Sequence, residues 1–232
     1  MAAALGPEAV FALSLPYQDW HLEAGARARR LLRQLQIPAL HIREIDIGPV
    51  VHAFVRSGSL RPTGQLGRRA GAENSDRVRL GNIMARVRMI MLFDYAKEHS
   101  ALVLGTENKS EHYLGYYTRF GDEASDIELL RNLYKTEIYR LAAHLGIPEE
   151  IREAPPTAGL WPEQTDEGQF GFTYKSADEI LYGLYEAGLS PRDLVERGLD
   201  QQAIEQVQAW VSQMAFKHEL PWMPPEPVLL SK

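Results

Sequence analysis

The chain has 232 residues, 45% of them hydrophobic, which is enough apolar material for the core of one large domain or two small ones. Its formal net charge of −6 disfavours non-specific nucleic-acid binding across the whole surface, although a local basic patch stays open. The sequence has no apolar run of about 18 residues and no basic signal region, so we expect a cytoplasmic protein without a membrane span. The absence of Cys excludes disulfides, thiolate metal sites and a Cys nucleophile from these residues.

The first part of the chain predicts a strand, a helix and a second strand. Residues 10–17 form a short apolar run that is stopped by Pro16. A helical pattern follows from Asp19 to Gln36, with Asp19 as the expected N-cap. Residues 38–47 alternate imperfectly between apolar and polar side chains, as a partly covered strand does. This order indicates a parallel βαβ unit and therefore the α/β class.

Apolar spacing and Gly or Pro stops predict the remaining elements. In chain order they are a mobile Gly- and Arg-rich loop at 57–71, a long helix at 75–99, a buried strand at 101–104, a helix at 134–145, a long loop at 153–171 and three short helices. Because no internal repeat is visible and Gly and Pro are spread evenly, the sequence predicts one domain over residues 1–232.

Polar and charged residues come directly after the predicted strand at 101–104. In an open α/β sheet, ligands bind where the carboxyl ends of the strands meet the next helices. Gly105 allows a tight turn there, Thr106 offers a hydroxyl, and Glu111 offers the oxygen ligand that Mg²⁺ prefers. Arg119 and Lys135 could bind phosphate. The alternative is a solvated turn with surface charges, and the pattern alone favours neither.

A basic cluster lies within an otherwise acidic protein. Seven Arg occur within residues 61–88 against only two acidic residues, namely Arg61, Arg68, Arg69, Arg77, Arg79, Arg86 and Arg88. Such an excess favours an anionic partner such as a dinucleotide or a triphosphate. Since side chains two positions apart diverge on a helix, at most one of Arg86 and Arg88 need contact a ligand. The alternative is a solvated helix face with ordinary ion pairs.

Two further polar features have plain structural explanations. Residues 162–168 could form a lid, but capping of the next segment by Asp166 and Glu167 is the better interpretation. His218 is expected to be a surface or hydrogen-bonded histidine. The sequence shows no spacing typical of zinc ligands and no Ser/His/Asp set.

Four motifs together resemble one family. They are "GNIMARVRM", "LVLGTENKSEHYLGYYTRFGD", "LYKTEIYRLAAHLGIP" and "PPTAGLWPEQTDEGQFGFTY". Their order and spacing resemble the ammonia-dependent NAD synthetases, which belong to the N-type ATP pyrophosphatases. The resemblance implies a Rossmann-like parallel sheet between helices, similar to the adenine nucleotide alpha-hydrolases, with a helical C-terminal part. It covers the chain from about Leu5 to the "LPWMP" tail.

The resemblance implies a two-step amide synthesis. ATP would adenylylate the nicotinate carboxylate of deamido-NAD, pyrophosphate would leave, and ammonia would displace AMP to give NAD. Mg²⁺ and cationic side chains would stabilise the charge that develops on pyrophosphate. Family members act as homodimers, so the same is expected here. Because the chain lacks Cys and a second enzymatic domain, ammonia would arrive free or from another protein.

The family motifs also assign roles to individual residues. Lys135 and Glu111 would be catalytic, with Glu111 holding Mg²⁺ and Lys135 binding the ATP phosphates. The other carried-over contacts are Thr106 and Thr157 to ATP, and Arg86, Arg119, Asp126 and Lys217 to deamido-NAD. Two positions depart from the family: Arg119 stands where Lys is common, and Phe216 stands where His is frequent.

The family's S-G-G-x-D-S phosphate loop does not occur in these residues. We therefore expect residues 1–232 to be an N-terminally incomplete domain of this family. Two functional hypotheses follow. The chain is either a synthetase catalytic chain or a non-catalytic, truncated or degenerate homologue that binds nucleotides and dimerises. Nucleic-acid binding through the Arg cluster is a third and weaker hypothesis, because the protein is acidic overall.

Overall fold

Short parallel strands and surrounding helices make up the described part of the chain. The computed structural model describes residues 1–20, 22–59, 72–218, 221 and 223. Its strands are β1 (Ala12–Ser14), β2 (Ile42–Glu44), β3 (Leu104–Gly105) and β4 (Ile127–Glu128). Its helices are α1 (Ala2–Leu5), α2 (Leu22–Gln34), α3 (Gly48–Phe54), α4 (Ala72–Glu98), α5 (Lys109–Tyr113), α6 (Lys135–His144), α7 (Glu149–Arg152), α8 (Asp166–Phe170), α9 (Tyr174–Leu181), α10 (Pro191–Glu196) and α11 (Gln201–Met214).

The strands pair in parallel, which confirms the predicted α/β class. β1 pairs with β2 and places Ala12 opposite Ile42, and β3 pairs with β4 and places Leu104 opposite Ile127. Among the described residues these are two separate two-stranded sheets rather than one continuous sheet. Every described element after β4 is helical, as predicted for the C-terminal part.

The long helices follow the predicted pattern closely. The helix predicted at 75–99 is α4, and the helix predicted at 134–145 is α6, which ends before Gly146 in the left-handed region at φ 68°. Asp19 lies in a turn before α2, so its prediction as the N-cap is wrong. In the loop predicted at 57–71, residues 57–59 belong to the π-helical turn Val55–Ser59, and residues 60–71 lie outside the described residues.

The strand predicted as buried at 101–104 is shorter and more exposed than expected. β3 begins only at Leu104, and Val103 is buried while Leu102 and Leu104 are 66% and 41% exposed. Side chains alternate between the two faces of a strand, so Leu102 and Leu104 share a face opposite Val103. Of these three side chains, only Val103 is buried by the described residues.

Two hydrophobic clusters form the described core. The first joins α4 to the segment after β1 and to α3, through Tyr17, Ile47, Val51, Met84 and Val87. The second is built by α8, α9, α10 and α11 and contains Leu114, Tyr134, Phe170, Phe172, Tyr174, Ala177, Ile180, Leu181, Leu194, Ile204 and Val207. The single-domain interpretation stays a prediction. In the described parts of the chain, no helix is both long and apolar enough to cross a bilayer.

Candidate active site

A cavity of about 770 Å³ opens at the carboxyl end of β3, where a parallel sheet is expected to bind its ligand. Its walls come from α4, the segment 103–124, the loop at 158–164 and the end of α11. Thr118 connects two of these walls, because its hydroxyl donates to Asn82 Oδ1 over 2.9 Å. The volume lies in the range of known small-molecule sites.

Several cationic side chains line this cavity. Arg86 Nε donates to the Arg119 carbonyl over 3.2 Å, and the Arg119 guanidinium stacks over Phe216 at 5.0 Å from the ring centroid. Arg88 also lines the cavity, and the expectation that at most one of Arg86 and Arg88 need contact a ligand stays a prediction. The two side chains do diverge, because Arg88 Nε donates to the Leu15 carbonyl at 3.0 Å. The cavity is wide enough for both Arg86 and Arg88 to line it.

Lys217 anchors the C-terminal end of the described chain against the segment after α5. Its Nζ donates to the carbonyls of Gly115 and Tyr117 over 2.6 and 2.7 Å. Burial lowers the pKa of Lys217, and the Asp122 carboxylate partly opposes this shift. Gly115 permits the close approach at φ 58°, where a Cβ would lie 2.7 Å from Met214 Cβ.

Glu111 and Lys135 form an ion pair at 2.9 Å outside the walls of this cavity. Glu111 belongs to a capping box of α5, in which Asn108 accepts the Glu111 N–H and Glu111 Oε2 accepts the Asn108 N–H. Lys135 is the first residue of α6, and its Nζ lies 5.2 Å from the Tyr174 ring centroid. Burial alone would lower the pKa of Lys135, but the Glu111 carboxylate more than offsets it, so the pKa lies above its ordinary value.

The remaining predicted site residues are spread over three places. Thr106 is exposed and lines the cavity directly after β3. Thr157 lies in the exposed loop before α8, where its hydroxyl accepts the Gly159 N–H at 3.0 Å. Asp126 faces a second cavity, and its Oδ2 accepts the Val103 N–H at 2.7 Å. The structure therefore brings Thr106, Arg86, Arg119 and Lys217 together at the first cavity.

A family model described as NAD synthase matches residues 1–221. The chain belongs to the NAD synthase family. Among curated relatives, the NH3-dependent NAD+ synthetase of Fusobacterium nucleatum is 34% identical over 218 residues, which cover 94% of this chain and 78% of the relative. The solved structure of NMN synthetase from Francisella tularensis is 32% identical, with a TM-score of 0.74 and coverage of 93% of this chain and 78% of that one.

A second solved structure supports the same assignment. NH3-dependent NAD synthetase from Campylobacter jejuni is 30% identical, with a TM-score of 0.67 and coverage of 93% of this chain and 77% of that chain. These matches confirm both the resemblance to the NAD synthetases and the adenine nucleotide alpha-hydrolase-like fold.

The Glu111–Lys135 pair offers one carboxylate, that of Glu111, as a ligand for Mg²⁺. The described residues contain no group of three or more His, Cys, Asp or Glu side chains that could enclose a metal ion. Mg²⁺ in nucleotide sites usually takes only one or two carboxylates together with substrate phosphates. Glu111 therefore fits as a protein ligand, provided that its oxygen separates from Lys135 Nζ.

Asp166 is a buried residue for which sequence reasoning predicted only a capping role. It is 3% exposed, its Oδ2 accepts the Tyr174 hydroxyl at 3.0 Å, and its Oδ1 has no hydrogen-bond partner. Thr165, not Asp166, caps α8, so the predicted capping role of Asp166 is wrong. Glu167 does act as expected, because it accepts the first N–H of α9 from Tyr174 at 2.9 Å.

Proposed function

We propose that this chain catalyses the ATP-dependent amidation of deamido-NAD to NAD, using ammonia and an adenylylated carboxylate. The observation that carries the proposal is the cationic cavity at the carboxyl end of β3 in a chain whose family match spans residues 1–221. A carboxylate is a poor electrophile, and adenylylation converts it into one that ammonia can attack. The protein has to neutralise phosphate charge and hold the two reacting groups together.

The cavity residues would bind the pyridine dinucleotide. Arg86 and Arg119 present guanidinium groups that suit phosphate oxygens, since their planar fork can donate two hydrogen bonds. Lys217 adds a third cation on the same wall, and Asp126 would contact the substrate from the neighbouring cavity. These four residues make up the proposed deamido-NAD site.

The ATP side would be formed by Thr106, Thr157, Lys135 and Glu111. Lys135 would bind the ATP phosphates and stabilise the charge that develops on the leaving pyrophosphate. Glu111 would be the protein ligand of Mg²⁺, which supplies Lewis-acid stabilisation of phosphoryl oxygens when it is bound. The 2.9 Å ion pair between Glu111 and Lys135 would have to open for both residues to act.

One comparison raises a second candidate substrate, a mononucleotide. The Francisella tularensis relative is named an NMN synthetase, and its TM-score of 0.74 is higher than the 0.67 of the Campylobacter jejuni NAD synthetase. An NMN synthetase would amidate a mononucleotide carboxylate rather than a dinucleotide one. Both substrates therefore belong in the assay.

We also propose a homodimer that works in the cytoplasm. Several large apolar side chains are exposed, including Ile90 at 58%, Leu102 at 66% and Leu129 at 52%. A contiguous patch of such side chains would suit a subunit contact. Light scattering coupled to size exclusion would give the mass, and a monomer at micromolar concentration would contradict the dimer.

The test is NAD formation by the purified 232-residue chain from deamido-NAD, ATP, Mg²⁺ and ammonium. We expect one AMP for each NAD, and at least a hundredfold lower rate in Lys135→Met, because a preorganised charge at the phosphates is removed. Glu179→Gln, a change on the exposed face of α9, is the control that should keep the wild-type rate. A folded wild-type chain without turnover would favour the non-catalytic homologue.

A further inference from the structure

The ring of Tyr174 lies beside the ammonium group of Lys135. Lys135 Nζ is 5.2 Å from the ring centroid, which is within the range of a cation–π contact. The Lys135 side chain is only 19% exposed, so most of the water that would weaken such a contact is excluded. The contact joins the first residue of α6 to the first residue of α9. Neither the ATP contacts nor the deamido-NAD contacts proposed above include Tyr174.

The Tyr174 ring is fixed in place by its surroundings. Tyr174 is 1% exposed, and its ring packs edge-on against Phe170 at a centroid distance of 5.4 Å. Its backbone N–H donates to Glu167 Oε1 at 2.9 Å, and its hydroxyl donates to Asp166 Oδ2 at 3.0 Å. The ring cannot turn without losing these contacts, so the face that it presents to Lys135 has one orientation.

Asp166 strengthens the attraction between this ring and a cation. Its Oδ1 has no hydrogen-bond partner, and its Oδ2 accepts the Tyr174 hydroxyl. Burial raises the pKa of Tyr174, so the hydroxyl keeps its proton and acts as a donor. Burial also raises the pKa of Asp166, whereas the Tyr174 hydrogen bond and the Lys135 charge lower it. A phenol that donates to a carboxylate is polarised toward greater electron density in its ring, and such a ring attracts an ammonium group more strongly.

A ring and a carboxylate hold an ammonium group in different ways. The Glu111 carboxylate neutralises the charge of Lys135 and accepts one of its N–H groups at 2.9 Å. The proposed reaction requires Glu111 at Mg²⁺ and Lys135 at the phosphates, so this ion pair has to open. The Tyr174 ring still attracts Lys135 after the opening, but it does not neutralise the charge. All three N–H donors of the ammonium group then stay available for phosphate oxygens.

We propose that Tyr174, supported by Asp166, is a positioning residue that keeps the Lys135 ammonium group in place when Glu111 releases it. The inference rests on the proposed function, because Lys135 binds the ATP phosphates in that reaction. Tyr174 acts through Lys135 and not on the substrate itself. The ring determines where the charge lies, and the phosphates take the N–H groups.

NMR of the substrate-free chain tests the contact without turnover. Glu111→Gln removes the carboxylate partner of Lys135 and so reproduces the opened ion pair. The ε-CH₂ signals of labelled lysines are recorded, and that of Lys135 is assigned by its absence from Lys135→Met. We expect this signal upfield of those of the exposed Lys97 and Lys175 in wild type and in Glu111→Gln, because protons over a ring face are shielded. A Lys135 signal at the position of the exposed lysines in Glu111→Gln would overturn the proposal.

The same signal tests the part that Asp166 has in the contact. Asp166→Asn keeps an oxygen that can accept the Tyr174 hydroxyl but removes the negative charge. Added to Glu111→Gln, it should move the Lys135 signal toward those of the exposed lysines, because the ring attracts the ammonium group less strongly. An unmoved signal would overturn the role given to Asp166.

A double-mutant cycle in the amidation assay tests the role of Tyr174. Tyr174→Phe keeps the ring but removes its bond to Asp166, and should lower kcat about fivefold while changing the KM for deamido-NAD less than about twofold. In the Lys135→Met background, the same substitution should change the remaining rate less than about twofold, because it acts through Lys135. Tyr185→Phe, at an exposed ring, is the matched control and should keep the wild-type rate. An equal loss in both backgrounds would mean that Tyr174 only maintains the fold, and would overturn the proposal.

The two experiments separate this inference from the proposed function. A shielded Lys135 signal in Glu111→Gln, in a chain whose wild type shows no turnover, would support the contact while the proposed function fails. Turnover by the wild type together with an unshielded Lys135 signal in Glu111→Gln would keep the proposed function and reject the positioning role.

Discussion

Lys135 is positioned by a buried hydrogen-bond network at the first turn of α6. Ser110 Oγ accepts the Lys135 N–H at 2.8 Å and donates to Asp178 Oδ1, while Asp178 Oδ2 accepts the Thr136 N–H at 2.9 Å. The network satisfies two N–H groups that a helix start leaves without partners. It also joins α5, α6 and α9 around one carboxylate, so the place of Lys135 depends on three elements.

Asp178→Ala should therefore lower the free energy of unfolding by about 3 kcal/mol, because it leaves buried donors without an acceptor. Asp178 is 5% exposed, whereas its neighbour Glu179 lies on the exposed face of the same helix. Glu179→Ala is the control and should change stability by less than about 0.5 kcal/mol. Urea unfolding followed by circular dichroism measures both, and equal losses in the two variants would refute the network's role.

The Glu111–Lys135 pair predicts a pH-dependent stability difference. The pKa of Lys135 is raised mainly through Glu111 acting against burial, so the pair stabilises the fold below about pH 10.5, the ordinary lysine value. That contribution is lost as the pH rises through the folded-state pKa. Glu111→Gln keeps an oxygen for the α5 cap but leaves Lys135 unpaired, and should lower stability by about 2 kcal/mol at pH 7.

Thermal unfolding of wild type and Glu111→Gln between pH 7 and pH 11 checks this expectation. The difference in Tm between wild type and variant should shrink above about pH 10.5, because Lys135 loses its charge as the pH rises and the ion pair then no longer stabilises the wild type. In the variant, Lys135 is unpaired and loses its charge at a lower pH than in the wild type. Glu205→Gln on the exposed face of α11 should show no such convergence. A constant Tm difference across this range would mean that packing, not the ion pair, causes the loss.

At the scale of elements, α4 and the loop before α8 meet at a glycine. A Cβ at Gly81 would lie 2.9 Å from Leu160 Cδ1 and 3.0 Å from its Cβ, and Leu160 belongs both to the wall of the first cavity and to the core around Met84. Helix α4 can thus approach the loop only because position 81 has no side chain. Helix propensity favours Ala over Gly at position 81, whereas the close packing against Leu160 favours Gly.

Gly81→Ala should lower the Tm by about 3 °C, because the close contact with Leu160 outweighs the gain in helix propensity. Gly25→Ala in α2 is the matched control, since its Cβ would meet only the flexible end of Arg29 at 3.5 Å. That variant should gain about 1 kcal/mol of stability. Should Gly81→Ala stabilise the protein as much as Gly25→Ala, the loop must be free to move away from α4.

Helices and local motifs were accessible from the sequence, and pairings across the chain were not. The helices α4 and α6 follow from apolar spacing within one segment, and so does the placement of Thr106 behind a short strand. The strands are only two or three residues long, so their exposure depends on distant elements. The same limit applies to Glu107 with Arg131, which lie 24 positions apart in the chain, and to Asp166 with Tyr174.

For the whole molecule, the C-terminal helices complete the candidate site from the far end of the sequence. Trp210 Nε1 donates to the Leu114 carbonyl at 2.9 Å, and Lys217 bonds the next carbonyl, that of Gly115. These contacts bring the end of α11 to the segment that follows α5. The position of Lys217 in the cavity that it lines with Arg119 therefore depends on the folding of the C-terminal core.

The choice between a dinucleotide and a mononucleotide substrate depends on those cations. A dinucleotide carries a second phosphate, and one Arg–phosphate pair contributes about 1.5–3 kcal/mol. Because Arg119 and Lys217 line one cavity with Arg86, we expect kcat/KM to favour deamido-NAD over the mononucleotide by at least about tenfold.

Competition between the two substrates in one assay measures this ratio directly. Arg119→Gln should reduce the preference for deamido-NAD and leave the rate with the mononucleotide nearly unchanged, since only the second phosphate loses its partner. Arg192→Gln, in an exposed ion pair of α10, is the charge-matched control and should keep the wild-type ratio. If the wild type prefers the mononucleotide, the cationic wall binds a single phosphate, and the chain resembles the Francisella tularensis relative in substrate as well as in structure.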